Sequence, residues 1–375
     1  MYWSYLAALA ALIWLGILLL PWRPWGTQEL LDSSPITPEK DLSDVTALIP
    51  ARNEADVIGR TLWSLHRQGD GLSILLVDDR SADGTAAAAQ ALGGRNLRVI
   101  SGEPLPADWS GKVWALEQGF LHVTTPLTLI IDADIELQPG IVGLLRQKMR
   151  EDGLHFISLM AQMRMVSFWE KMFMPAFVYF FKMLYPFRLS NSGFSRVAAA
   201  AGGCILAETR VIREIGGFKV IRDQLIDDCA LAKRVKSAGY RTWIGLTHSV
   251  HSLRSYDHLT GIWNMVARTA FCQLHYSMML LAGTTAIMLT VFWLPVAGLF
   301  FPTASAKVIS AAALAAMFLS YLPILKCYSR SKGWALAFPV IALFYLAMTW
   351  SSALRFWVGT GSAWKGRFYS RNEKK

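Results

Sequence analysis

PLTLIIDADI (126–135) is an unbroken apolar run that ends in two aspartates one residue apart, Asp132 and Asp134. So short a run, closed by charge, predicts a buried strand (126–132) with carboxylates at its carboxyl end. Working outward, VTALIPA (45–51), ILLVDD (74–79) and LRVIS (97–101) have the same form. Between them lie amphipathic stretches: NEADVIGRTLWSLHRQG (53–69), SADGTAAAAQALGG (81–94) and KVWALEQGFLHV (112–123). Strands alternating with helices predict an α/β sheet, and such sheets bind ligands beyond the carboxyl ends of their strands. Asn53, Glu54, Asp78, Asp79, Asp132 and Asp134 all fall at such ends. Neither G-x-G-x-x-G nor G-x-x-x-x-G-K-[ST] occurs, so dinucleotide and P-loop sites are not indicated.

The 375-residue chain is 53% hydrophobic and 17% charged, with a mean hydropathy of +0.33. This excludes a disordered chain, a fibrous repeat and a purely soluble enzyme. The net charge of +10 suits anionic lipid or phosphate-bearing ligands rather than nucleic acid. Four widely spaced cysteines predict neither disulfides nor a zinc site. Residues 4–22 carry no charge and reach spanning length, without a basic residue before them or a small-x-small cleavage site after them. Arg23 follows directly, which places the next segment in the cytoplasm by the positive-inside rule. Three more charge-free runs, 276–302, 308–325 and 334–354, crowd the C-terminal quarter. The basic stretch KCYSRSKG (326–333) and the basic tail both favour the cytoplasm, which three simple crossings cannot satisfy. A bent hairpin at 276–302, a re-entrant segment or an exceptional tail would each resolve this. The expected division is an anchor (1–23), a linker (24–44), a catalytic domain (45–270), a membrane region (271–358) and a tail (359–375). Within the domain, 168–189 is aromatic-rich but carries Glu170, Lys171, Lys182 and Arg188. It reads as an interfacial helix whose lysines snorkel to headgroups, or as an aromatic flank of the soluble core.

Asp132 and Asp134 offer hard oxygen ligands to a Mg²⁺ or Mn²⁺ held largely by substrate phosphates, or form a solvated turn. Asp78 and Asp79 suit a ribose hydroxyl or base N–H, or ordinary turn duty. Lys112 lies between a turn and a helix start, where an ammonium favours a diphosphate. Asp227 and Asp228 open a helix; with Asp227 as N-cap, Asp228 is left to deprotonate an acceptor hydroxyl, and Asp227→Asn should be nearly silent. His248 and His251 are candidate metal or phosphate contacts, or satisfied polar residues. Arg268 could hold a leaving diphosphate.

PARNEAD (50–56), VDDRSADGT (77–85), GKVWALEQG (111–119), DADI (132–135), AGGCILAETRVIREIGGF (201–218) and DDCALAKRVKSAGY (227–240) together resemble, in order, the family 2 glycosyltransferases. The resemblance implies a GT-A fold, a Rossmann-like nucleotide-sugar-binding α/β domain, and inversion at the transferred sugar. One N-terminal span and about three C-terminal ones narrow it to membrane-bound members that glycosylate lipids, with the hopene-associated glycosyltransferases most similar. It further implies a nucleotide-sugar donor, a UDP-sugar being expected, a lipid acceptor, a divalent Mg²⁺ or Mn²⁺, and a multi-pass protein of the cytoplasmic membrane. By position, Asp134 would be the metal ligand with Asp132 beside the ribose and metal, and Asp79 the nucleotide-binding aspartate. Lys112 would lie near the diphosphate, and Asp228 would be the catalytic base. Pro50, Arg52 and Glu54 would line the donor side, and Gly202, Gly203 and Asp227 the acceptor side. Arg268 matches the arginine of a Q/R-x-x-R-W element, but Met265 and Thr269 replace its flanks. A catalytically silent nucleotide-sugar-binding scaffold, a polysaccharide synthase and a flippase component are the alternatives. Against the synthase stands the absence of a second long cluster of helices, and against the flippase the uncharged spans.

Overall fold

The structure, a computed structural model, describes residues 2–33, 41–94, 96–359, 362–364 and 367–369. Part of the expected linker and most of the basic tail lie outside the described residues. The chain divides into two compact units. One comprises Met1–Gln28, Met165–Arg188 and Tyr256–Ser362; the other comprises Glu29–Arg164, Leu189–Ser255 and Ala363–Lys375.

The second unit is built on an eight-stranded sheet. Its strands are β1 (Val45–Ala51), β2 (Ser73–Asp78), β3 (Leu97–Ser101), β4 (Leu127–Ile131), β5 (Ile135–Leu137), β6 (Phe156–Gln162), β7 (Cys204–Glu208) and β8 (Thr242–Ser252). They lie in the order β3-β2-β1-β4-β7-β6-β8-β5. The first four are parallel to one another, whereas β7 runs antiparallel between β4 and β6. Every residue of β1 is buried, because helices cover both faces of the sheet. Val45, Ala47 and Ile49 pack with Ile58, Leu62 and Leu65 of helix Ala55–His66. Leu48 and Val77 pack on the other face with Val113, Leu116 and Phe120 of helix Gly111–Phe120.

Proline is unusual in a central strand, since it cannot donate to the ladder. Pro50 is tolerated because β1 pairs with β4 only from Val45 to Leu48, while its pairing with β2 continues through Pro50 and Ala51. The sheet therefore parts between β1 and β4 at their carboxyl ends. That is where the strand order reverses, the place at which open α/β sheets bind ligands.

Among the described residues, the helical unit contains four helices long and apolar enough to span a membrane: Tyr2–Leu19, Met278–Gly298, Ala304–Cys327 and Lys332–Trp357. Of the three resolutions offered for 276–302, the bent hairpin is removed. The stretch Met278–Gly298 runs as one helix that widens into a π turn at Leu289–Trp293, just before Pro295. A π turn leaves carbonyls without regular helical partners, and the Val291 carbonyl accepts a 2.7 Å hydrogen bond from Trp14 Nε1.

Helix Phe168–Leu184 starts with a capping box. Ser167 accepts from the Glu170 N–H, and Glu170 accepts in return from the Ser167 N–H. Glu170 is wholly buried and also accepts from the Val166 and Tyr256 N–H groups. The expectation that Lys182 snorkels outward is corrected. Lys182 is 1% exposed, and its ammonium lies 4.0 Å from the centroid of the Phe187 ring. The chain turns back after Leu184 and brings an aromatic face to the cation, which supplies a local partner in place of headgroups.

Gly119 faces the sheet so closely that a Cβ there would lie 2.3 Å from Leu48 Cδ1 and 2.7 Å from Val77 Cγ2. Both neighbours are buried strand residues without room to retreat. Gly119→Ala should destabilise the protein by about 1–3 kcal/mol, the usual range for overpacking, read as a lowered thermal midpoint in detergent solution.

Candidate active site

The strand-end segments are latched to one another before any functional group is considered. Asn53 and Arg80 both adopt left-handed backbone conformations. The Asn53 side-chain oxygen accepts from the Ala82 N–H at 2.9 Å, and Ser81 Oγ accepts from the Asn53 N–H at 2.9 Å. Thr85 and Asp83 side chains accept from the Glu54 and Ala55 N–H groups. Arg52 donates to the Asp79 and Arg80 carbonyls, so its guanidinium braces the turn after β2. Asp79 is completely buried. Asp78 accepts from the Ser81 N–H through Oδ2, while its buried Oδ1 has no hydrogen-bond partner among the described residues.

The centre of the site is an ammonium among carboxylates. Lys112 occupies the first turn of helix Gly111–Phe120, whose N-cap Ser110 donates its N–H to the Arg222 carbonyl at 2.6 Å. Lys112 Nζ lies 2.9 Å from Asp132 Oδ1 and 3.1 Å from Asp227 Oδ2, with these side chains between 17% and 32% exposed. Burial opposes the Lys112 charge, but Asp132, Asp227 and Asp228 outweigh it and hold the proton well above the ordinary lysine range. Burial also raises Asp132; Lys112 opposes this and the neighbouring Asp134 adds to it. Asp228 is pushed up to about 7 by burial and by Asp227, against the pull of Lys112 and of a 2.7 Å hydrogen bond from the Cys229 N–H.

Gly202 leaves room for this convergence. A Cβ there would stand 2.9 Å from Lys112 Nζ, 3.4 Å from Asp228 Oδ2 and 3.6 Å from Asp132 Oδ2. The segment is held in place by Ser158, whose hydroxyl donates to the Ala201 carbonyl and accepts from the Ala201 N–H. A Cβ on the neighbouring Gly203 would stand 3.1 Å from Ile135 Cδ1 and 3.2 Å from Ala161 Cβ, so this glycine serves close packing.

Asp227 is not the N-cap of its helix. Ile226 takes that position without a side-chain cap, Asp227 is the first helical residue, and its carboxylate turns to Lys112. The ion pair with a partly buried ammonium outcompetes the cap, a trade the local sequence does not reveal. His248 bonds Asp32 at 2.8 Å and His251 bonds Gln138 at 3.2 Å, so both are satisfied polar residues. Arg268 belongs to the helical unit, at the carboxyl end of helix Leu259–Ala267.

One residue passed over in the sequence joins the site. Arg254, just beyond β8, donates from Nε to Asp134 Oδ2 at 2.8 Å and from Nη2 to Glu54 Oε1 at 2.7 Å. Its register is set by the Leu253 N–H, which donates to the Asp134 carbonyl at 2.7 Å. In these two ion-paired groups five carboxylates (Glu54, Asp132, Asp134, Asp227, Asp228) share two cations. This excess of hard, negatively charged oxygen could take a divalent cation, and Asp132 and Asp134 are the residues placed to hold one. No group of three or more His, Cys, Asp or Glu among the described residues forms a complete metal cage. Two carboxylates one residue apart are hard oxygen ligands of the kind Mg²⁺ uses when phosphates supply the rest of its shell.

Because Asp228 has a raised folded-state pKa, its contribution to stability is present at low pH and disappears as pH rises through about 7. Above that, the ionised carboxylate strains the fold. Asp228→Asn should therefore raise the thermal midpoint at about pH 8 by ~2–4 °C, and the gain should vanish near pH 4. An unchanged or lower midpoint at the higher pH would contradict this electrostatic account.

Residues 46–216 match the family model described as glycosyl transferase family 2. The 4,4'-diaponeurosporenoate glycosyltransferase of Staphylococcus aureus (strain MRSA252) is 34% identical over 91 residues, 24% of this chain and 24% of that protein. The match thus spans about a quarter of that relative's length. Among solved structures, the mannosyltransferase PcManGT from Pyrobaculum calidifontis, in complex with GDP-Man and Mn²⁺, matches with a TM-score of 0.55 at 19% identity. That likeness covers 94% of this chain and 98% of the other, and at such identity it is one of fold. Residues 46–216 thus resemble a glycosyl transferase family 2 domain, and the fold is of the GT-A kind.

Proposed function

We propose that the protein is a membrane-bound inverting glycosyltransferase that moves a sugar from a nucleotide-sugar donor to a lipid hydroxyl, of the hopanoid or a related kind. The observation that carries this reading is the Lys112–Asp132–Asp227–Asp228 cluster at the strand ends of a family 2 domain, in a chain with four helices of spanning length. The relative named as acting on diaponeurosporenoate supports an apolar acceptor. The complex of PcManGT with GDP-Man and Mn²⁺ supports a nucleotide sugar and a divalent ion, here Mg²⁺ or Mn²⁺. With Arg23 directly after the first span, the catalytic domain faces the cytoplasm, where nucleotide sugars are made available.

Asp228 accepts the proton of the acceptor hydroxyl as that oxygen attacks the anomeric carbon in line with the departing diphosphate. A carboxyl pushed up to about 7 suits general-base work at neutral pH, with about half of it ionised and that half basic enough to take the proton. Lys112, held protonated by its three aspartates, presents fixed positive charge to the leaving group. Asp132 and Asp134 would hold the divalent ion, which supplies charge against the diphosphate when bound. Pro50, Arg52, Glu54 and Asp79 form the donor side, Arg52 by bracing the loop rather than by direct contact. Gly202, Gly203 and Asp227 border the acceptor side.

The test is incubation of the purified protein with labelled UDP- and GDP-sugars and lipid extract, following glycolipid product. Transfer should disappear with EDTA and return with Mn²⁺ or Mg²⁺; full activity in a metal-free preparation would sink the metal assignment. Asp228→Asn should lower transfer by about 10²–10⁴-fold while nucleotide-sugar affinity stays within roughly threefold. Asp227 helps to raise Asp228, so Asp227→Asn should move the acid limb of the pH–rate profile to lower pH. A reporter fused near residue 90 should read cytoplasmic, and a periplasmic signal would overturn the orientation.

A further inference from the structure

We infer that Arg254 is an exchangeable counter-ion of Asp134 that binds the donor's diphosphate, an inference that rests on the donor-site reading above. Arg254 bridges Glu54 and Asp134 with two good hydrogen bonds, yet it sits on the open side of them. Its side chain is 36% exposed, against 12% for Glu54 and 13% for Asp134. The Arg254 side chain is therefore the most accessible of the three.

Asp134 Oδ2 accepts from Arg254 Nε, and Asp134 is also one of the two carboxylates that suit a divalent cation. A dication and a guanidinium compete for the same carboxylate, because each is stabilised there by the same negative charge. A nucleoside diphosphate arriving with a metal ion brings new oxyanions, to which a planar guanidinium fork is well matched. The exchange would leave no charge stranded. Asp134 passes from guanidinium to metal, and the guanidinium passes from carboxylate to phosphate. The backbone need not move, because the Leu253 N–H bond to the Asp134 carbonyl and the pairing of Ser252 with Ile135 hold the base of the side chain in register. Glu54, at the start of helix Ala55–His66, remains as the second anchor.

This arrangement makes two predictions of opposite sign, which a purely structural brace would not. In the full-length protein, Mn²⁺ binding without nucleotide is followed by electron paramagnetic resonance, and binding of UDP and GDP at saturating Mn²⁺ by calorimetry. Arg254→Met should bind Mn²⁺ alone at least about threefold more tightly, because the competing charge is gone. It should bind whichever diphosphate the wild type prefers about tenfold more weakly, the usual scale for a lost charge-assisted contact. Arg254→Lys keeps the charge without the fork, so Mn²⁺ affinity should stay near wild type while diphosphate affinity falls about threefold. Should the Met variant fail to fold, the Lys variant decides by itself. Unchanged diphosphate affinity in a folded variant, or Mn²⁺ binding that weakens with Arg254→Met, overturns the inference. Wild-type protein that binds neither UDP nor GDP in Mn²⁺ would overturn the donor-site reading itself. A wild type that binds with variants that do not differ removes Arg254 alone.

Discussion

Lys112 is a charged side chain drawn into the carboxyl end of the sheet, where water is scarce and an unpaired ammonium would be costly. Asp132 and Asp227 meet it at 2.9 and 3.1 Å, and Asp228 completes the negative surround. The rest of the site is arranged around this constraint. The ammonium draws Asp227 away from capping its own helix, and the crowding of acids leaves Asp228 with an unusually high proton affinity. Gly202 leaves the ammonium room, since a Cβ there would stand 2.9 Å from Lys112 Nζ. One partly buried cation thus links the segment after β4 and the helix at Asp227, two parts of the chain with no local reason to meet.

The backbone supplies the opening in which these groups converge. Pro50 has no N–H, and the pairing of β1 with β4 stops at Leu48. The antiparallel entry of β7 beside β4 then brings Gly202 and Gly203 to the same end of the sheet as Asp132. A parallel neighbour in that place would have pointed its preceding turn to the opposite edge. The cluster at this end of the sheet therefore depends on one reversed strand as much as on the acids themselves.

Much of this was legible in the residue pattern. The strands at 45–51, 74–79, 97–101 and 126–132 appear within one residue of their expected ends, because each is a short apolar run punctuated by charge. The helices of spanning length were equally plain, since hydrocarbon thickness demands uninterrupted apolar sequence. Other readings failed for definite reasons. Asp227 has the position of a cap, but an ion pair to Lys112 is stronger than a cap hydrogen bond. Lys182 has the look of a snorkelling lysine, but the turn after Leu184 folds Phe187 over it. Arg254 has no local signal at all, lying 200 positions from Glu54 and 120 from Asp134.

By itself, then, the sequence determined which segments are strands, which are helices of membrane-spanning length, and which carboxylates end the strands, since these follow from hydrophobic periodicity and local turn chemistry. The tertiary structure decided which charge neutralises which. Ion pairing depends on distances of about 3 Å between side chains far apart in the chain, and on the burial that makes those distances matter. Strand order and direction set both, and no local pattern encodes them. That is why the partners of Lys112, the raised proton affinity of Asp228 and the bridge made by Arg254 emerge only in the folded protein.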